Sequence, residues 1–295
     1  MLGRLIKHDF RSLSRVLMPT QLAILGATVI ATAGFAVNIR SGYSSFNGDF
    51  AAQALRVVTA FLSGLMLVAI FASVFLVAFI IFQRFYKSFM CDEGYLTFTL
   101  PVTTSQLLWS KLITALLWSI INGAVLLVCI FIFMAFGTST KAFFNAELFR
   151  QMGLFFSEAN ALFGARLILP SFEFIVMMLI TLAFNIISVY LSLIIGGVLS
   201  QAHKILAAIG VYFGINIVVG ILTSIAQTIW FTSVFTGSNA IISYSLDTAT
   251  PAQAFDAIFA AVNPLLLFII ILSAVLSVAF FILSHYLLKN KLNLE

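Results

Sequence analysis

Six stretches of this chain are long and apolar enough to cross a lipid bilayer, and each must be a helix if it does. They run approximately over residues 17–37, 57–82, 107–136, 172–199, 205–235 and 264–287. A span needs about 20 apolar residues. Inside hydrocarbon the backbone has no water to bond, so a lone segment satisfies its N–H and C=O groups only as a helix. Several stretches exceed the minimum, which implies tilt or extension beyond the bilayer. Composition agrees: 62% of residues are hydrophobic and 8% charged, against about 25% charged in soluble domains. The reading is an all-α polytopic membrane protein, a single transmembrane domain over residues 1–295 with no soluble domain, linker or repeat.

An even number of spans places both termini on one side, and basic residues choose the side. Arg4, Lys7, Arg11, Arg15, Arg84, Lys87, Lys111, Lys204, Lys289 and Lys291 fall with the termini, ten in all, against five on the other face: Arg40, Arg56, Lys141, Arg150 and Arg166. The positive-inside rule then predicts cytoplasmic termini and a multi-pass protein of the cell membrane. Six of the ten acidic residues fall outside. The net charge of +5 therefore reads as orientation. A nucleic-acid partner is not expected, because the basic residues sit at helix ends and not on one accessible face.

Cys91 and Cys129 lie in unlike surroundings and imply neither a disulfide nor a metal site. Residues 1–37 resemble a signal peptide in order, with Ala31-Thr32-Ala33 as a mock cleavage site. The apolar run has the length of a full span, so an uncleaved first helix is expected.

Leu2, Leu5, Ile6, Leu13, Val16 and Leu17 follow helical spacing, with Arg4, Lys7, Arg11 and Arg15 elsewhere around the turn. That pattern predicts an amphipathic helix over 1–16 lying in the inner interface, held by buried apolar area and anionic headgroups. On the outer side, Phe144, Leu148, Met152, Phe155 and Phe156 form an apolar stripe, which predicts a helix resting on the leaflet. Residues 251–263 predict a second short helix, and Asn263-Pro264 reads as the start of the sixth span.

The longest charged break between apolar helices on the inner face is RFYKSFMCDEGYLTFTLPVTTSQLLWSK, residues 84–111. Phe82, Phe85, Tyr86, Phe89 and Met90 continue a helical stripe out of the second span, and Gly94 is a stop. Asp92 and Glu93 sit where the helix dipole disfavours negative charge. They serve either a basic partner surface or the solvation of a turn. Residues up to Pro101 alternate as an extended strand would, and Thr103 with Gln106 has capping-box spacing for the third helix.

Phe-Tyr-Lys at 85–87, Asp92-Glu93-Gly94-Tyr95-Leu96, Thr-Leu-Pro ending at Pro101, Gln106 and Ser110-Lys111 resemble the corresponding loop of ABC type-2 transporter permeases of Gram-positive and related bacteria. The opening MLGRLIKHDFRS is similar to that family's start. The resemblance implies a six-helix, type-2 ABC exporter-like subunit with an N-terminal interfacial helix. It also implies that loop 84–106 couples to separate ABC ATPase subunits, with Tyr86, Phe89, Asp92, Glu93, Gly94, Tyr95 and Pro101 as the coupling residues. A second permease subunit, identical or paralogous, is implied as well. No phosphate-cradling Gly-Lys loop occurs in the chain, so ATP and Mg are expected in the partner ATPase, and this chain is not expected to be an enzyme.

Asn122, Asn185 and Asn216 fall near the middle of the third, fourth and fifth spans. They read either as a polar translocation path or as interhelical hydrogen bonds. Gly210 and Gly214 form a GxxxG step, and Gly196-Gly197 lie near the inner end of the fourth span. Close helix packing is the expectation for both. No ionisable residue sits at a midplane, and the three histidines are not grouped as a metal site. The expected function is the permease of an ATP-driven exporter of an amphiphilic lipid, peptide or drug. The alternatives are a membrane scaffold or sensor without transport, and an ion-coupled secondary carrier.

Overall fold

The computed structural model describes residues 2–40, 50–91, 101–137, 146–200, 203–235 and 250–290. Apart from one 3-10 turn, the regular elements among them are α-helices: α1 (Leu2–Arg40), α2 (Phe50–Met90), α3 (Thr104–Gly137), α4 (Ala146–Phe163), α5 (Ile168–Leu199), α6 (Lys204–Phe235) and α7 (Pro251–Asn290). Six helical segments among the described residues are long and apolar enough to span a membrane. The protein is a multi-pass helical membrane protein.

The chain divides into two compact units, one of residues 1–84 and 109–152, the other of residues 85–108 and 153–295. In the first unit α1 and α3 pair lengthwise. Asp9 meets Lys111, Gln21 meets Asn122, and Phe35 meets Phe133. Residue numbers rise together on both helices, so the two run parallel, as the first and third spans of an alternating chain must. Leu13 and Leu17 on α1, and Leu112, Ala115 and Trp118 on α3, are buried. Phe10 stacks on Trp118 with ring centroids 5.0 Å apart.

This pairing corrects the reading of residues 1–16 as a separate interfacial helix. α1 is continuous through Pro19, and its contact with α3 already begins at Asp9. From Asp9 to Phe35 the helix rises about 39 Å, more than the roughly 30 Å of hydrocarbon. A segment that follows α3 over that length does not turn aside to lie flat.

In the second unit α5 is central and packs against both α6 and α7. Arg166–Asp256, Glu173–Asn263 and Phe184–Phe280 set α5 and its leading turn parallel to α7. α6 runs antiparallel to both: its start crosses α5 at Gly196 and Ala208, and its far end reaches Ala261 of α7 through Trp230. A Cβ on Gly196 would lie 2.5 Å from the Ala208 backbone nitrogen. Only a glycine admits a crossing that close. Gly210 and Gly214 face open space among the described residues, so the GxxxG step is not the packing point. Lipid tails are as apolar as the helices, so tight packing and polar contacts hold such helices together where water-driven burial does not.

Helix starts follow side-chain chemistry. Thr103 caps α3 as its spacing predicts, with its Oγ1 accepting from the Gln106 N–H at 3.3 Å. Thr250 caps α7, and Gln253 reaches back to the Thr250 N–H at 3.0 Å. The expected short helix over 251–263 is therefore the first part of α7, and Pro264 lies inside it. Asn263 is not a cap; its amide donates to Glu173 Oε1 at 3.3 Å. The helix expected over 141–158 forms as α4 and passes through a 3-10 turn, where Gly164 takes a φ of +50°, into α5. Phe155 and Phe156 are exposed on it, and Phe144 lies outside the described residues.

Candidate functional site

The segment singled out between the second and third spans is anchored at both ends in the second unit. Its incoming end is the last turns of α2. Phe85 stacks on Tyr190 of α5 with centroids 3.9 Å apart and planes 11° from parallel. Phe89 packs beside Phe85 at 4.7 Å and is fully buried. The Met90 sulfur lies against Gly197. Its outgoing end is the start of α3, where Thr104 Oγ1 and His285 Nδ1 of α7 are hydrogen-bonded at 3.0 Å. The segment thus grips the C-terminal ends of α5 and α7. A small displacement of either end would be felt there first, because packed rings and a glycine contact leave little slack.

That arrangement changes the role of Phe89. A ring without exposed surface offers no anchor to another chain; it packs beside Phe85, the ring that stacks on Tyr190. Tyr86 is half-buried and Lys87 exposed, so the outer face of the same turns is the one open to a partner. Pro101 is an exposed bend. Asp92, Glu93, Gly94 and Tyr95 lie outside the described residues.

The three mid-span asparagines do not act alike. Asn122 is buried in the first unit, and its Oδ1 accepts from Gln21 Nε2 at 2.8 Å. It is an interhelical clasp. Asn185 and Asn216, both in the second unit, are exposed, and each amide donates at 2.8 Å to a carbonyl one turn back on its own helix, Thr181 and Tyr212 respectively. A path lined jointly by Asn185 and Asn216 has no support in these bonds.

Among the described residues, a buried ion pair joins α1 to α3, and local sequence patterning does not reveal it. Lys111 Nζ donates to Asp9 Oδ1 at 2.7 Å, and Ser110 Oγ donates to Oδ2 at 3.2 Å. Both charges are buried, at 9% and 6% side-chain exposure. Two signals pointed to it. Lys111 falls within the expected third span, and Asp9 is the sole acid among the first 48 residues.

Among the described residues no group of histidine, cysteine and carboxylate side chains is placed to hold a metal ion. No protein-family model, no curated protein and no solved structure matches the chain.

Proposed function

We propose that the chain is the permease subunit of an ATP-driven exporter of the ABC type-2 class, moving an amphiphilic substrate across the cell membrane. The termini face the cytoplasm, ATP and Mg are bound by separate ATPase subunits, and a second permease, identical or paralogous, completes the pathway. The observation that carries this reading is the segment 84–111. Its motif resembles the ATPase-coupling loop of that class, and its two ends are keyed to the ends of α5 and α7 by Phe85–Tyr190 and Thr104–His285. A displacement of the last turns of α2 or of the start of α3 would be passed to α5 and α7 through these two contacts.

The buried Asp9–Lys111 pair does not favour an ion-coupled carrier. Asp9 already has a ligand on each oxygen, which leaves little room for a transported ion. Such carriers place their ion site near the bilayer midplane, whereas Lys111 lies within the first turns of α3.

The test is to look for an ABC ATPase gene beside that of this chain and to reconstitute the two products together. ATP hydrolysis should rise when the permease is added and disappear when the ATPase loses its phosphate-loop lysine. Hydrolysis indifferent to the permease, with no complex on co-purification, would overturn the reading.

A further inference from the structure

One face of α1 is strongly cationic and makes no contact with α3. Arg4, Lys7, His8, Arg11 and Arg15 are all exposed, at spacings that place them on one side of the helix. Asp9, Leu13 and Leu17 are buried on the opposite side. At about 100° per residue the cationic face continues through Met18, Leu22 and Val29, which are 57%, 67% and 43% exposed. One strip of α1 therefore changes from cationic to apolar along its length, at the level where the hydrophobic span begins.

The cationic part lacks a counter-charge of its own: Arg4, Lys7, Arg11 and Arg15 repeat on one side of the helix, and the first turn of α1 holds no acid. The nearby carboxylate, Asp9, is turned away and taken up by Lys111 and Ser110. The strip's own sequence offers no relief.

We propose that this strip binds an anionic phospholipid, with the headgroup phosphate at Arg11 and Arg15 and an acyl chain along Met18 and Leu22. Charge complementarity selects the headgroup, and the apolar continuation selects a lipid over free phosphate. The site is independent of the ATP-driven reading, since it needs no partner chain.

Native mass spectrometry of the detergent-purified full chain tests this, with phosphatidylglycerol and phosphatidylcholine of matched acyl chains as probes. Wild type should retain phosphatidylglycerol in preference. Arg11→Gln with Arg15→Gln should lose that preference by about fivefold per arginine, while Arg11→Lys with Arg15→Lys keeps most of it. Melting temperature should stay unchanged in both double variants, because the side chains are exposed; should the glutamine pair not fold, Arg15→Gln alone carries the measurement. Excess inorganic phosphate should not displace the lipid. Equal retention of the two lipids by wild type, or an undiminished preference in the glutamine variant, would overturn the proposal. Displacement by inorganic phosphate would reduce the strip to a simple anion site. Displacement by polyglutamate without any lipid preference would assign it to an acidic protein. Either result counts against the lipid.

Discussion

The Lys111 ammonium lies 2.7 Å from the Asp9 carboxylate, and this contact fixes how the first helix meets the third. Taking two charges out of water costs several kcal/mol each, and their attraction only roughly repays it. The pair therefore adds register more than stability. If α1 slid by one residue, Asp9 would face away from Lys111 and both charges would be stranded. Asp9→Asn or Lys111→Met should each destabilise the detergent-solubilised protein by about 3–5 kcal/mol, whereas Asp9→Leu with Lys111→Met should restore most of that loss. Thermal unfolding followed by intrinsic fluorescence checks this. Single variants as stable as wild type would show that the charges are not jointly buried.

Glycines at two neighbouring points of the sequence should respond oppositely. Gly196→Ala puts a methyl group into the Ala208 backbone and should lower the melting temperature, by an overpacking cost of about 1–3 kcal/mol. Gly210→Ala meets open space, and the better helix former should be neutral or stabilising by about 0.5–1 kcal/mol. Equal effects from the two would contradict the close crossing of α5 and α6.

Phe89→Ala should act on the fold. The ring is fully buried against Phe85, and emptying such a site costs about 3–5 kcal/mol. Lys87→Glu, on the exposed side of the same turns, should leave the melting temperature within about 0.5 kcal/mol of wild type. A Phe89→Ala protein that melts normally would return Phe89 to the partner-binding face.

Asp92→Lys with Glu93→Lys separates coupling from folding. If the acidic pair docks on a basic ATPase surface, charge reversal sets like charges together at a cost of several kcal/mol. Co-purification of the ATPase should fall while membrane insertion and melting stay normal. Undiminished co-purification and permease-stimulated hydrolysis would remove this pair from the coupling surface.

The orientation is tested by single cysteines in a Cys91→Ser, Cys129→Ala background. Gly48→Cys, Asn145→Cys and Ser245→Cys should react with an impermeant maleimide added outside intact cells, following the ten-to-five distribution of basic residues. Protection of all three, with labelling at the termini, would invert the topology.

Much of the architecture was legible along the chain because lipid imposes a one-dimensional rule. An apolar run of sufficient length must be helical whatever its neighbours do, so the six spans and the Thr103 cap could be read from local residues alone. The boundaries that misled were at the ends. Pro264 suggested a fresh helix start, yet α7 begins at Pro251 and carries through it. Nearby, the Trp230 indole donates to the Ala261 carbonyl at 2.6 Å, and Asn263 is held by Glu173, so the proline stands in a stretch tied to two other helices. The interfacial helix was a fair local reading of residues 1–16, since the same amphipathic pattern suits a membrane surface or a neighbouring helix.

Local hydropathy was enough to reveal a multi-pass helical protein with six candidate spans, and to mark the segment between the second and third where function is proposed. Tertiary structure alone decided which polar residues face one another. Asn122 found Gln21, while Asn185 and Asn216 turned to their own backbones; Asp9 found Lys111 across the fold. Phe89 lies in the interior and not on a contact surface. The physical reason is that hydropathy is a property of single residues summed over a window, whereas pairing depends on helix rotation and register. Those are set only when helices pack, α1 with α3 in one unit and α5 with α6 and α7 in the other.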